Sequence, residues 1–197
     1  MTTVHPLRRV ALLCGLAVLA APAIAQDAYP SKPITIVVGY PPGGSTDLTA
    51  RTVATELGNK LGVPVVIENL GGAGGAIGAQ KVANAAPDGY TLLVGANNEI
   101  AINKLVTKKV KYDIKDFTAI GLIASQPLVL VASTGAGVKN MAEFTQKVSK
   151  NPGKFSYGSS GVGTALHLAG ELIQEQGKLH MTHVPYKGVA PLTTDLV

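Results

Sequence analysis

The run Ile34-Thr35-Ile36-Val37-Val38 leads through Pro41-Pro42-Gly43-Gly44-Ser45-Thr46-Asp47 directly into a helical pattern. A strand that reads as continuously apolar and β-branched is buried on both faces, which points to the interior of a parallel sheet covered by helices. The glycine loop after it adds a functional constraint. The first turn of a helix leaves N–H groups without intrahelical partners, and the aligned peptide dipoles add partial positive charge there. Gly43 and Gly44 allow a ligand to close on the backbone. Strand, glycine loop and helix start, in that order, predict a socket for a small anion.

The rest of the chain repeats this grammar. Ala50, Val53, Ala54, Leu57 and Leu61 recur at helical spacing, and Gly62 supplies the stop. Pro64–Ile67 reads as a second strand. Gly71–Gly78 is a glycine-rich turn into a small-residue helix through Val82 and Ala86, and Pro87-Asp88-Gly89 turns into a third strand, Thr91–Val94. Such alternation predicts parallel strands joined by crossover helices, an α/β architecture. From Phe117 a second pattern begins with two apolar runs, Ile120–Ala124 and Leu128–Val131. Met141, Phe144 and Val148 outline a helix. Phe155–Tyr157 is then a short strand feeding Gly158-Ser159-Ser160-Gly161-Val162-Gly163-Thr164 and a helix through Ala165, Leu168, Ala169 and Leu172. The opening architecture thus appears twice, and two sockets predict two lobes facing each other across a cleft. Thr182–Tyr186 reads as a further strand, and Ala190–Val197 as the first turns of a helix with no stop signal. That pattern is expected of an N-terminal part of a longer two-lobed protein.

Residues 1–25 stand apart. Arg8 and Arg9 precede a short apolar stretch that ends in Ala21-Pro22-Ala23-Ile24-Ala25, the pattern of a secretory signal cleaved after Ala25. The stretch is shorter than the roughly 20 residues of a spanning helix. The single cysteine, Cys14, lies inside it and lacks the small residues that precede a lipidated cysteine. A mature chain would have no thiol, so neither a disulfide nor a cysteine nucleophile is expected. The formal charge of the whole sequence is +5, but its lysines are scattered and it has no tryptophan. Without a basic–aromatic platform, nucleic acid is not an expected partner. The expected division is a signal peptide at 1–25, an N-terminal α/β lobe at 26–124 and a partial second α/β lobe at 125–197.

The glycine loops fail the nucleotide signatures. Ile77 and Leu166 stand where G-x-G-x-x-G needs its last glycine, and no G-K-[ST] follows either loop. A nucleophile elbow, G-x-S-x-G, would need glycine where Val162 stands, although His167 lies close by in sequence. An exported serine hydrolase acting through Ser160 is therefore the alternative. His180 and His183 would point to opposite faces of a strand, so no metal site is expected. What remains is recognition by amides and hydroxyls. Ser45, Thr46, Ser159, Ser160 and Thr164 cluster at the two helix starts, where each suits ligand contact or an N-cap equally. Asp47 is read as ordering the loop amides. Asn97 and Asn98 follow the third strand at its C-terminal end, where α/β ligand crevices open.

These residues carry a resemblance. Tyr29–Ile34, Pro41–Asp47, Ala86–Leu93, Tyr157–Gly161, His167–Glu171 and His183–Gly188 are together similar to the substrate-binding proteins of tripartite tricarboxylate transporters, the Bug family. The resemblance implies a type II periplasmic binding protein, an α/β fold of two lobes around a ligand cleft. It implies a non-enzymatic, monomeric, periplasmic protein with no cofactor. Such a protein captures a small carboxylate solute and delivers it to a membrane permease. The family's ligand loops carry over onto Pro42, Gly43, Gly44, Ser45 and Asp47, and onto Ser159, Ser160, Gly161, Gly163 and Thr164, with Asn97 beside them. Glu99 departs from the small, hydroxyl or histidine residues frequent in relatives, and would repel a second carboxylate or pair with an ammonium group. Relatives also run on for roughly another hundred residues, in keeping with two lobes of ordinary domain size. The third possibility is a truncated fragment that binds nothing.

Overall fold

A computed structural model describes residues 28–197, and the signal-peptide segment lies outside the described residues. β1, Ile34–Val38, is the middle strand of a parallel sheet of order β2-β1-β3, with β2 at Val65–Asn69 and β3 at Thr91–Val94. Its central place accounts for its composition: Ile34, Ile36, Val37 and Val38 are all buried. Ile36 and Val38 pack with Ala50 and Ala54 of α1, Ser45–Leu61, and with Val94 of β3. Burial of each such branched side chain stabilises the fold by about 1.5–3 kcal/mol. As the sequence predicts, α1 stops at Gly62, whose N–H reaches the Gly58 carbonyl.

The other face of the sheet carries α2, Ala76–Ala83. This helix lies almost against the backbone at the end of β1. A Cβ on Gly78 would sit 2.9 Å from the Gly39 Cα, and one on Gly39 would sit 2.7 Å from the Gly75 Cα. Only glycines permit that approach. The helix ends at Ala83 rather than running on to Ala86, and the Asn84 N–H closes it on the Gln80 carbonyl. Around α2 a second core gathers Ala76, Ala79 and Tyr112 with Leu93, Val110 and Phe117. After β3 the chain makes a π-helical turn at Asn98–Ile102, then the short α3, Asn103–Val106.

A second parallel pair follows, β4 at Phe155–Ser159 and β5 at Met181–Pro185. α4, Met141–Ser149, precedes it, α5, Ala165–Gly177, joins the two strands, and α6, Val189–Leu196, comes after. α4 begins on a reciprocal cap: Asn140 Oδ1 accepts the Glu143 N–H at 2.9 Å, and the Glu143 carboxylate accepts the Lys139 N–H at 2.9 Å. Such caps contribute about 1 kcal/mol.

The two apolar runs between the sheets behave differently from the strands. Residues 118–133 carry neither helix nor strand, and Ile120, Leu122 and Val129 are 83%, 88% and 78% exposed. An apolar strand needs a neighbouring edge for its N–H and C=O groups. Among the described residues neither run pairs with any strand. The lobe boundary expected at 124/125 falls within this stretch.

Candidate functional site

The first loop is built around a buried carboxylate. Asp47, in the first turn of α1, is 2% exposed. Its Oδ2 accepts the Gly43 N–H and the Arg51 Nε–H, both at 2.9 Å, and its Oδ1 accepts Asn69 Nδ2–H at 2.8 Å. Asn69 also donates to the Tyr40 carbonyl at 3.0 Å and accepts from Arg51 at 3.2 Å. Burial alone raises the Asp47 pKa, but the donors from Arg51, Gly43 and Asn69 outweigh it and hold the group down to about 2. Asp47 therefore shapes the loop, as its place in the first turn predicts. Its partners Arg51 and Asn69 were not among the predicted site residues. Arg51 was legible as an acid–base pair at i, i+4; Asn69 lies on a neighbouring strand and carries no local signal.

Around this anchor the loop opens outward. Pro42, Gly43 and Ser45 are exposed and Gly44 is buried. Gly43 has φ of +88°, and among the described residues the one atom within 4 Å of a Cβ added there is the Ala190 Cβ at 3.7 Å. α1 has no side-chain cap, so Ser45 and Thr46 are not used as N-caps.

The second loop is tied more tightly to itself. Ser159, Ser160 and Thr164 are buried. Ser159 Oγ accepts the Gly161 N–H at 3.2 Å and lies 3.1 Å from the Gly161 carbonyl, which also accepts the Thr164 hydroxyl at 2.7 Å. The Gly163 N–H donates to His167 Nδ1 at 3.0 Å. These contacts turn the Ser159 and Thr164 hydroxyls into the loop, where neither serves as a helix cap. His183 Nε2 lies 2.7 Å from Ser159 Oγ, while His180 is exposed. The histidine thus faces Ser159 and not Ser160, the residue on which the hydrolase alternative depends.

The two loops meet. Asn98 Oδ1 accepts the N–H of Ala165, the first residue of α5, at 2.9 Å, and Asn98 Nδ2 donates to the Tyr40 hydroxyl at 2.7 Å. Asn103 Nδ2 donates to the Gly74 carbonyl at 2.9 Å, and a Cβ on Gly74 would lie 3.3 Å from Thr164 Cγ2. A third segment joins from the far end of the sequence. Gly188, at the start of α6, lies against Pro41, and Ala190 lies against Gly43. Three helix starts therefore face one region, where two were predicted. Asn97 is exposed beside it, and its neighbour Asn98 makes the bridge.

Glu99 sits differently from its sequence expectation. It is 1% exposed, under Gly39 and Gly75, so it neither meets solvent nor reaches an ammonium group. Oε2 accepts the Ala96 N–H at 3.1 Å and lies 3.5 Å from the Tyr40 hydroxyl; Oε1 has no partner. Burial pushes this carboxyl up to about 7. Burial, then the neighbouring Glu99 charge, pushes the Tyr40 phenol up as well.

Two parallel α/β sheets whose strand-to-helix loops converge form the scaffold of a periplasmic binding protein. Residues 49–197 match the family model described as the tripartite tricarboxylate transporter family receptor. The chain is 40% identical over 184 residues to a UPF0065 protein of Bordetella pertussis, covering 93% of this chain and 56% of that protein. Among solved structures it is similar to Rpa4515 of R. palustris with adipate, at a TM-score of 0.83 and 36% identity over 85% of this chain and 56% of the other. It is also similar to MatC of Rhodopseudomonas palustris with bound malate, at a TM-score of 0.79 and 33% identity over 85% and 57%. The Bug name recurs among the relatives, in BugT of Bordetella pertussis and in the periplasmic binding protein BugD. The chain belongs to the tripartite tricarboxylate transporter receptor family, and spans a little over half the length of the relatives it matches.

Proposed function

We propose that this chain forms the ligand-gripping part of an exported receptor that captures a small dicarboxylate and presents it to the permease of a tripartite transporter. The observation that carries the reading is the convergence of the loops at 41–47 and 158–165, joined through Asn98. Solved relatives holding adipate and malate support the ligand class. In this reading Pro42, Gly43, Gly44 and Ser45 present backbone and hydroxyl to one carboxylate, with Asp47 shaping their loop. Ser160 and the backbone of Ser159, Gly161, Gly163 and Thr164 receive the ligand from the other side, and Asn97 contacts it at the rim. Recognition by oriented amides and hydroxyls suits an anion without a dedicated cofactor or any chemical step. The leader at residues 1–25 directs export and is cleaved after Ala25, and the mature protein acts as a monomer. The lobes divide at 124/125.

Calorimetric titration with adipate, malate, citrate, aspartate and glutamate tests the ligand class. Heat with at least one dicarboxylate is expected. A folded sample, verified by circular dichroism, that gives no heat with any of the five overturns the assignment.

A further inference from the structure

We propose that His167 is a positioning residue for the second loop: its neutral imidazole accepts the Gly163 amide and fixes the loop's shape, and acidification releases that fastening. The inference rests on the reading of residues 158–164 as half of the ligand site.

The geometry begins at Gly163, whose N–H donates to His167 Nδ1 at 3.0 Å. A nitrogen that accepts a hydrogen bond carries no proton, so this contact selects the tautomer with its proton on Nε2. That nitrogen faces Glu171 Oε1 at 3.7 Å, and the same carboxylate oxygen receives the Tyr157 hydroxyl. A proton added at Nδ1 would set one N–H against another. The Gly163 amide would then lose its acceptor inside a buried loop.

Gly163 is buried in a turn that the Thr164 N–H closes on the Gly161 carbonyl at 3.3 Å. Gly163 has φ of +77°, and a Cβ there would lie 2.7 Å from Val106 Cγ2, so this turn depends on glycine. On either side of it, Gly161 and Thr164 are bound to each other. The His167 bond adds the side-chain acceptor for the amide between them.

His183 opposes a second charge on the pair. Its ring stacks on His167 with centroids 4.0 Å apart at 16°, and on Tyr157 at 4.9 Å. Two charged imidazoles at that separation repel each other strongly. Burial and the His167 ring hold His183 below the ordinary histidine range, against the opposing pull of Glu171. The His183–Ser159 contact survives protonation, because a charged ring still donates from Nε2. A proton at His167 Nδ1 would thus break the Gly163 bond, whereas one on His183 leaves the Ser159 contact in place. The charged and titratable groups around the pair are Glu171 from α5 and Tyr157 from β4. On the other face of β4, α6 contributes Asp195, bonded to Tyr186.

Nuclear magnetic resonance of the full chain, labelled with nitrogen-15, tests this between about pH 5 and pH 8, the range in which histidine changes charge. His167 is expected as the Nε2–H tautomer at the upper end, and the Gly163 amide resonance is expected to move with the same midpoint as its ring. In His167→Asn, which keeps an acceptor, the Gly163 amide should hold its high-pH position throughout. In His167→Phe, which keeps the stack alone, it should show the acid position at every pH. A Gly163 amide indifferent to pH, or His167 as the Nδ1–H tautomer at neutral pH, overturns the proposal. Adipate added to the same sample at neutral pH separates this inference from the reading beneath it. Perturbation at Gly43 and Ser160 supports the ligand site. Silence there, with Gly163 still following His167, counts against the ligand site and leaves the fastening standing.

Discussion

Asn98 and Ala165 lie 67 residues apart and share a hydrogen bond of 2.9 Å that links the end of the first sheet to the first turn of α5. The same carboxamide holds the Tyr40 hydroxyl at 2.7 Å, so one buried side chain fastens both loops. Replacing Asn98 by leucine removes both bonds and leaves the Ala165 amide without its acceptor, while the Tyr40 hydroxyl keeps its bond to the Gly74 carbonyl at 3.2 Å. A loss of about 1–3 kcal/mol in unfolding free energy is expected. Urea unfolding followed by circular dichroism measures it; a change under about 0.5 kcal/mol, below the worth of a typical net hydrogen bond, would show that the bridge is not made in solution.

Asp47 links stability to acid. Its folded pKa, about 2, is below the ordinary value of 3.8, so its contribution is fully present above about pH 4 and is lost as pH falls through 2. The contribution is about 1–2 kcal/mol, allowing for the half-exposed Arg51 that supplies part of it. Thermal melting of the wild type and Asp47→Asn between these limits is the measurement. The variant should lose less stability over that window, and parallel curves would refute the assignment.

Glu99 acts with the opposite sign. Its folded pKa, about 7, is above the ordinary 4.5, so the stability it contributes is greatest below pH 4.5 and falls away as pH rises through 7. Glu99→Gln fits the same space without the charge. It should gain up to about 3 kcal/mol relative to the wild type at alkaline pH, and converge with it in acid. Chemical denaturation at the two ends of the range decides; a variant less stable than the wild type in alkali contradicts the account.

Gly43→Val tests the first loop. The backbone there has φ of +88°, a conformation β-branched residues avoid, and the added methyls would project into the proposed carboxylate space. Adipate or malate affinity should fall beyond calorimetric detection. Undiminished affinity would remove Gly43 from the site.

The exposed stretch at 118–133 should make the chain self-associate. Ile120→Glu combined with Leu122→Glu and Val129→Lys removes apolar surface where the fold makes no use of it. Sedimentation velocity should show less concentration-dependent association in the triple variant, with the melting temperature little changed. A large drop in melting temperature would place these side chains in a packed interior.

Local grammar made most of the fold readable. The centre of the sheet was legible because Ile34–Val38 is apolar at successive positions, as only a strand covered on both faces needs to be. The stop at Gly62 and the start at Ala165 follow from backbone chemistry confined to a few residues. The apolar runs after Phe117 look like buried strands, but burial depends on a neighbour, and neighbours are not written locally. The same limit governs the site. Asp47 was readable as a loop organiser because its role lies within one turn of helix. Asn98 was readable from its place after the third strand, but its bond to Ala165, like the approach of Asn69 and the start of α6, comes only through tertiary folding. In the sequence His183 reads as half of a His180–His183 pair, whereas its actual partners come from β4 and α5. Glu99 was placed near a ligand by its neighbourhood, and only packing under Gly39 and Gly75 reveals it as interior.

The contact of Gly39 with Gly75 and Gly78 has a consequence for how receptors of this kind diverge. Where backbone rests on backbone, no substitution can enlarge or shrink a side chain, so that floor is closed to gradual change. The exposed positions 42, 45 and 97 carry no such restriction. On the proposed reading of positions 42, 45 and 97 as ligand contacts, new preferences should arise there while the glycine contact stays fixed.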